Sequence, residues 1–215
     1  YLPLYCARAV AEQALLLWMA LLRRLPRQTA QFAAFHRDGL TGRECQGKRL
    51  LVVGVGCIGS EVCRIGLGLG MDVRGVDPVR KHDFVSYTTL EEGLPWADVL
   101  VNAMNLTPAN RGLLSAERLG RARPGLIFVN VARGEHAPTR GLLRLLEAGH
   151  LGGVGLDVYN HESELAVALR SGRTSDDDEA QAVATMMGRP DAILTPHNAF
   201  NTMEAVQRKA RDSAE

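Results

Sequence analysis

The chain lacks an excess of charge of either sign, a long apolar run and a patterned set of cysteines, and each absence removes a class of function. Twenty-five Lys and Arg against 24 Asp and Glu give a formal net charge of +1. The basic residues are scattered, so there is no stripe for a polyanion and no nucleic-acid partner is expected. The one block of like charge is acidic, Asp176 to Glu179. The most apolar segment, RAVAEQALLLWMALLRRL from Arg8 to Leu25, is interrupted by Glu12 and Gln13, and only Ala14 to Leu22 is unbroken. A bilayer needs roughly 18 to 20 apolar residues, so this segment reads as a buried helix and no membrane partner is expected. With Arg23 and Arg24 behind the apolar run, no signal peptide is expected either. Cys6, Cys45, Cys57 and Cys63 show neither CxxC spacing nor histidines at metal-ligand distances. They predict reduced thiols in a cytoplasmic protein, and no metal site. There is no internal repeat, and the only biased stretch, Ser171 to Glu179, reads as an exposed loop.

What the chain has is the composition of a globular protein, 46% apolar and 23% charged over 215 residues, and 22 glycines. Three of those glycines stand in Gly54-Val-Gly-Cys-Ile-Gly59. Spacing alone is weak, so the surroundings decide. Lys48 to Val53 is a valine and leucine run that reads as a buried strand, and from Ile58 to Leu69 the apolar residues recur every three or four positions, as in a helix. The next strand, Asp72 to Val76, ends at Asp77. A strand, a glycine turn, a helix and an acidic residue at the second strand's tip form a dinucleotide-binding unit. Gly54 permits the turn, Gly56 lets a pyrophosphate approach the backbone, and Gly59 lets the helix pack on the strand. Free amides at the helix start receive the phosphates. Asp77 accepts from the ribose hydroxyls and repels a 2′-phosphate, which predicts NAD in preference to NADP.

Further strands are expected at Asp98 to Ala103, Gly125 to Asn130, Gly153 to Leu156 and Ala192 to Leu194, with helical stretches at Ser115 to Leu119 and Thr139 to Ala148. Six strands alternating with helices predict an α/β fold with a doubly wound parallel sheet, the Rossmann-type arrangement. Three stretches then place an ionisable residue beyond a strand's carboxyl end: Arg133 in FVNVARGE, Glu162 in GLDVYNHESE and His197 in ILTPHNAF. An arginine offers a planar fork to a carboxylate, a histidine exchanges a proton near neutrality, and a glutamate beside it stabilises its charged form. Such a set suits hydride transfer between a 2-hydroxy acid and a nicotinamide. Alternatives stay open at this point. Glu162 has His161 and Glu164 as rivals, and His36, His82, His136 and His150 read as ordinary surface or loop residues. Met186, Met187 and Leu142 to Leu146 read as core.

The glycine motif with Asp77, VNVARGE, GLDVYNHE and LTPHNA, in this order, resemble the D-isomer-specific 2-hydroxyacid dehydrogenases, from AVAEQALLLWMALLRRLP to about Asn201. The resemblance implies that Arg133 holds a substrate carboxylate, that His197 is the acid/base and that Glu162 orients it. It implies a cofactor site lined by Cys57, Ile58, Asn105, Val131, Ala132, Arg133, Asp157 and His197. A small 2-hydroxy or 2-keto acid would be the partner, and a homodimer would form through the first helix, whose apolar run needs more cover than one sheet face offers. Ser163 stands where the family usually has proline, the segment from Ser163 to Pro190 is longer than usual, and Asn105, Ala103 and Gln13 replace frequent proline, histidine and histidine. The three catalytic positions are intact. Residues 1–200 are expected to form the cofactor domain and 201–215 to begin the return to a substrate domain. The chain, which opens on Tyr1, is expected to be a piece of a longer protein. A competing class is a non-catalytic NAD(H)-binding regulator, since relatives of the family include transcriptional corepressors.

Overall fold

Short runs of valine, leucine and isoleucine become the strands of one parallel sheet, as buried strands covered on both faces must. The structure, a computed structural model, describes residues 5–172 and 175–212. Residues 1–4 of the leading segment, 173–174 of the Ser171 to Glu179 stretch and 213–215 of the expected return segment lie outside the described residues. The first half runs α1 (Ala7–Leu22), α2 (Leu25–Gln31), β1 (Arg49–Val53), α3 (Cys57–Gly68), β2 (Asp72–Val76), β3 (Ser86–Tyr87), α4 (Leu90–Trp96) and β4 (Val99–Asn102). The second runs α5 (Ala116–Leu119), β5 (Leu126–Asn130), α6 (Thr139–Glu147), β6 (Leu151–Leu156), α7 (Glu162–Ser171), α8 (Asp178–Met186), β7 (Ala192–Leu194) and α9 (Met203–Asp212).

The strand order is β3-β2-β1-β4-β5-β6-β7, with every neighbouring pair parallel. The chain moves outward from β1 through β3, then crosses back to β4 on the other side of β1. Ligands of such sheets bind where the order reverses, beyond the strands' carboxyl ends, and the glycine turn after β1 lies there. Side chains alternate between faces. Leu50, Val52, Val99, Val101, Ile127 and Val129 pack toward α1 and α3. Leu51, Val53, Leu100, Leu126 and Phe128 pack on the opposite side with residues of α4, α6 and α8.

The doubly wound parallel sheet agrees with the sequence reading, but several details differ. There are seven strands among the described residues where six are expected. The extra one, β3, is two residues long on the sheet edge, too short for any apolar pattern. β6 begins at Leu151, two residues early, because Gly152 and Gly153 carry no strand signal. The glycines have another use: a Cβ at Gly155 would meet Leu17 Cβ at 2.9 Å and one at Gly153 would meet Leu21 Cδ2 at 3.0 Å, so their absence lets α1 lie on the sheet.

α1 is thereby covered within the chain. Trp18, Leu17, Ala14 and Ala11 are buried, and of Ala14 to Leu22 only Leu16 is exposed, at 55%. The run does take more cover than the sheet face gives, and α3 supplies it from within the chain beside β5 and β6. The helix stops at Leu22, three residues before the expected Leu25, with Arg24 in the left-handed region (φ 54°) and Pro26 in the first turn of α2.

Ser171 to Glu179 is not an exposed loop throughout. Asp177 caps α8 by accepting from Ala180 N at 2.9 Å, and Glu179 is buried with its carboxylate on the Thr139 amide at the start of α6. Met186 is core as expected, whereas Met187 is 55% exposed. Among the described residues no helix is long and apolar enough to cross a membrane.

Leu100, fully buried in β4 at the sheet's centre, tests this packing. Leu100→Ala should lower the unfolding free energy by about 2–5 kcal/mol through lost burial and a residual cavity, measured by urea denaturation. A loss under about 1 kcal/mol would mean that the site is not close-packed.

Candidate active site

Six segments meet at the carboxyl edge of the sheet. After β1, Gly54 has φ +88°, and a Cβ there would lie 2.6 Å from the Met104 amide; at Gly59 a Cβ would lie 1.9 Å from Gly54 O. These two glycines are required by backbone approach. Gly56 differs, since a Cβ there would meet nothing within 4 Å. Open space therefore lies over Gly56, just before α3. No side chain caps α3 and its first turn holds no acidic residue, so its leading amides and positive dipole end are available to an anion. Cys57 is exposed there and Ile58 half-buried.

Asp77, beyond β2, is half-buried. Its Oδ2 accepts from Val55 N at 2.8 Å and its Oδ1 from Val79 N at 2.9 Å. These bonds tie the strand tip to the glycine turn and leave each oxygen a further lone pair.

Beyond β5 and β6 two segments touch. A Cβ at Gly134 would lie 1.9 Å from the Tyr159 carbonyl carbon and 2.2 Å from Asn160 N, so the glycine after Arg133 is what lets the arginine segment lie on the chain leading to Glu162. Arg133 is extended and exposed, its Nη1 donating to Ala132 O at 2.6 Å. Val131 and Ala132 are each 6% exposed. Asn105, after β4, is exposed, with its carbonyl accepting from Asn110 Nδ2 at 2.8 Å.

Glu162 and His197 come together. His197 Nδ1 lies 2.8 Å from Glu162 Oε1 and 3.1 Å from Oε2. The bond assigns the Nδ1 proton to the glutamate side and leaves Nε2 for proton exchange. Both groups are partly open to solvent, 38% for the histidine side chain and 41% for the glutamate. The rivals in NHESE fall away: His161 Nδ1 instead binds Asp177 Oδ2 at 2.7 Å, which favours its protonated form and raises its pKa. His161 sits in the left-handed region (φ 51°) and immediately precedes Glu162, so the His161–Asp177 contact braces the start of α7 against α8.

His197 itself has φ +51°. Its turn is held by Asp157, which is 1% exposed. Asp157 Oδ1 accepts from Thr195 Oγ1 at 2.5 Å and Asn198 N at 3.0 Å, and Oδ2 from Ala199 N at 2.9 Å. Tyr159 O–H donates to Thr195 O at 2.8 Å. Burial, with the Asp157 charge beside it, pushes the Tyr159 hydroxyl's pKa up.

One residue was missed from the sequence. His136, expected to be an ordinary surface or loop residue, does lie between β5 and α6 but is fully buried, with Nδ1 3.0 Å from Asn102 Nδ2. A lone histidine in the polar run GEHAPT gives no periodic signal; the signal that could have exposed it was the pair of asparagines ending β4 and β5, which need buried partners. Burial holds its imidazole below the usual histidine range, outweighing the nearby Asn105 backbone and Glu135, which act the other way.

Residues 15–199 match the family described as D-isomer specific 2-hydroxyacid dehydrogenase, NAD binding domain. The chain belongs to this family. It is 34% identical over 213 residues to 2-hydroxyacid dehydrogenase A of Aspergillus oryzae, covering 97% of this chain and 60% of that protein. It is 32% identical to the D-lactate dehydrogenase of Escherichia coli over 215 residues, 95% of this chain and 63% of the relative. Among solved structures it resembles D-lactate dehydrogenase from Aquifex aeolicus complexed with NAD and lactic acid, with a TM-score of 0.92 at 29% identity, covering 99% of this chain and 66% of that one. D-2-hydroxyisocaproate dehydrogenase gives a TM-score of 0.91 at 28% identity, with 99% and 65% covered. The chain thus spans less than two thirds of the length of these curated relatives. Its family membership is that of the NAD-binding domain.

The buried His136 predicts a pH dependence of stability. Folding favours its neutral form, so this contribution is complete above the ordinary value of 6.5 and is lost as pH falls, because the unfolded chain then binds the extra proton. Denaturation at about pH 7 and about pH 5 should show wild-type losing more stability over this interval than His136→Asn. Equal losses would mean that His136 is protonated in the folded protein.

Proposed function

We propose that this chain is the cofactor-binding and acid/base part of an NAD-dependent oxidoreductase that interconverts a small D-2-hydroxy acid and its 2-keto acid. The observation that carries the reading is the His197–Glu162 pair, 2.8 Å apart, on the same sheet edge as the open glycine turn. The D-lactate and D-2-hydroxyisocaproate dehydrogenases among its relatives support the substrate class. A non-catalytic NAD(H)-binding regulator would need the glycine turn and Asp77 but not a braced histidine–glutamate pair.

In the reducing direction His197 Nε2 donates a proton to the keto oxygen while Glu162 stabilises the ring's charged form. Arg133 turns its fork from Ala132 O to the substrate carboxylate and so sets where C2 stands. When bound, NADH supplies the hydride that C2 receives. Gly54, Gly56, Gly59, Cys57 and Ile58 hold the pyrophosphate side. Asp77 takes the adenosine ribose, and Asn105, Val131, Ala132 and Arg133 border the nicotinamide. Asp157, sealed behind the 195–199 turn, serves the cofactor through that turn and His197.

Residues 201–215 lead back toward a substrate domain. In support, Arg208 Nε of α9 donates to Tyr5 O at 2.8 Å, so both ends of the described chain lie together. We further propose a homodimer, supported by apolar surface at Leu16, Phe32 and Phe35, 55%, 74% and 80% exposed. A cytoplasmic location is supported by four free thiols.

Three variants of the full-length enzyme test the mechanism. General acid catalysis is worth about 10² to 10⁴ in rate, so His197→Ala should lower kcat by that factor with NADH affinity retained. Arg133→Ala should chiefly raise KM for the 2-keto acid. Glu162→Gln keeps the shape of the His197 partner but removes its charge, so kcat should fall with NADH affinity retained. Normal turnover without His197 would remove it from the mechanism.

The cofactor assignment is checked separately by fluorescence titration. NADH should bind more tightly than NADPH because Asp77 would face the 2′-phosphate, and Asp77→Ala should narrow the gap. Equal or reversed affinities in the wild type would place Asp77 elsewhere.

A further inference from the structure

His136 takes part in no step of the proposed reaction, yet it is the hub of the most buried polar cluster at the site. Its Nδ1 faces Asn102 Nδ2, and an amide nitrogen can only donate, so Nδ1 accepts and the ring proton resides on Nε2. Asn102 also donates to Asn130 Oδ1 at 2.9 Å, and its own Oδ1 accepts from Met104 N at 3.3 Å. Asn130 Oδ1 accepts in addition from Ala132 N at 3.1 Å, and Asn130 Nδ2 donates to Arg133 O at 2.9 Å. One continuous chain of bonds therefore links the segment after β4, which ends on Asn105, to the segment after β5, which ends on Arg133. Asn102, Asn130 and His136 are each no more than 1% exposed.

The cluster has one open position. His136 Nε2 is buried with no well-formed hydrogen bond, its nearest acceptor being the Asn105 backbone, and a buried donor held this loosely is costly. The backbones facing the ring are those of Asn105 and Arg133, and the charges nearest it are those of Glu135 and Arg133. The Asn105 carbonyl accepts from Asn110 on one side and has a second lone pair. The backbone of His136 is itself anchored, its carbonyl accepting from Leu114 N at 2.9 Å.

We propose that His136 is a positioning residue: through Asn102 and Asn130 it keeps the segments bearing Asn105 and Arg133 in register, with its Nε2–H turned to the Asn105 backbone. The imidazole gives the junction of the two backbone segments a directional contact in addition to packing. The kinetic part of this inference rests on the dehydrogenase reading. The structural part does not.

The test combines amide hydrogen exchange with kinetics on the full-length enzyme. His136→Leu fills the volume but cannot accept from Asn102, whereas the Oδ1 of His136→Asn can take the place of Nδ1. His136→Leu should speed exchange in both 103–105 and 131–134 by about tenfold or more, since local opening of the two is coupled. It should raise KM for the 2-keto acid by about tenfold with a smaller change in kcat. His136→Asn should return both readouts to within about threefold of wild type. Asn102→Ser breaks the same link from its other end and must give the same exchange pattern, whether or not His136→Leu folds. Unchanged exchange in either segment of Asn102→Ser, or His136→Asn as impaired as His136→Leu, overturns the proposal. A wild-type enzyme that reduces no 2-keto acid would overturn the proposed function and leave the exchange test of the cluster intact.

Discussion

The candidate site depends on one buried carboxylate. Asp157 ends β6 at 1% exposure and takes three donors from the turn that follows β7. A charge in that position is tolerable only because each donor faces it squarely. In return the turn is held with His197 at φ +51°, a left-handed conformation that costs a non-glycine residue about 1 kcal/mol or more. Tyr159 closes the other side through Thr195 O. The imidazole thus reaches Glu162 from a hydrogen-bonded turn, and the sheet's last two strands frame the histidine–glutamate pair.

Glu162 is braced from a second direction. As the first residue of α7 its carboxylate sits at a helix N-terminus, where negative charge is favoured. Its neighbour His161 is tied to Asp177, and Glu179, two residues on, caps the amides of α6. The acidic block at Asp176 to Glu179, which from composition alone is a solvated loop, therefore joins α6, α7 and α8 behind Glu162. The two helices between Ser163 and Pro190 thus have a physical part, since these contacts tie α7 to α8 and α8 to the start of α6.

The sheet was legible because buried parallel strands leave continuous apolar runs, as in Arg49–Val53 and Leu126–Asn130, and because Gly54, Gly59 and Asp77 sit at positions that only a strand–turn–helix unit requires. Arg133, Glu162 and His197 were legible as ionisable residues just beyond strand ends. What escaped had no periodicity to read. β3 is two residues, the start of β6 hides in glycines selected by the approach of α1, and α8 is hidden by charges that turn inward. His136 is the clearest case, because its role is set by Asn102 and Asn130, which reach it only once β4 and β5 pair.

The central claim is that this edge brings a nicotinamide and C2 of a 2-keto acid together under one proton donor. The most direct measurement is reduction of a 2-keto acid by the full-length enzyme with NADH carrying deuterium at both positions of nicotinamide C4, followed by NMR and chiral analysis of the product. Direct transfer leaves one deuterium at C2 of the D-2-hydroxy acid and takes no hydrogen for that carbon from solvent. Binding of NADH without deuterium appearing at C2 would contradict it.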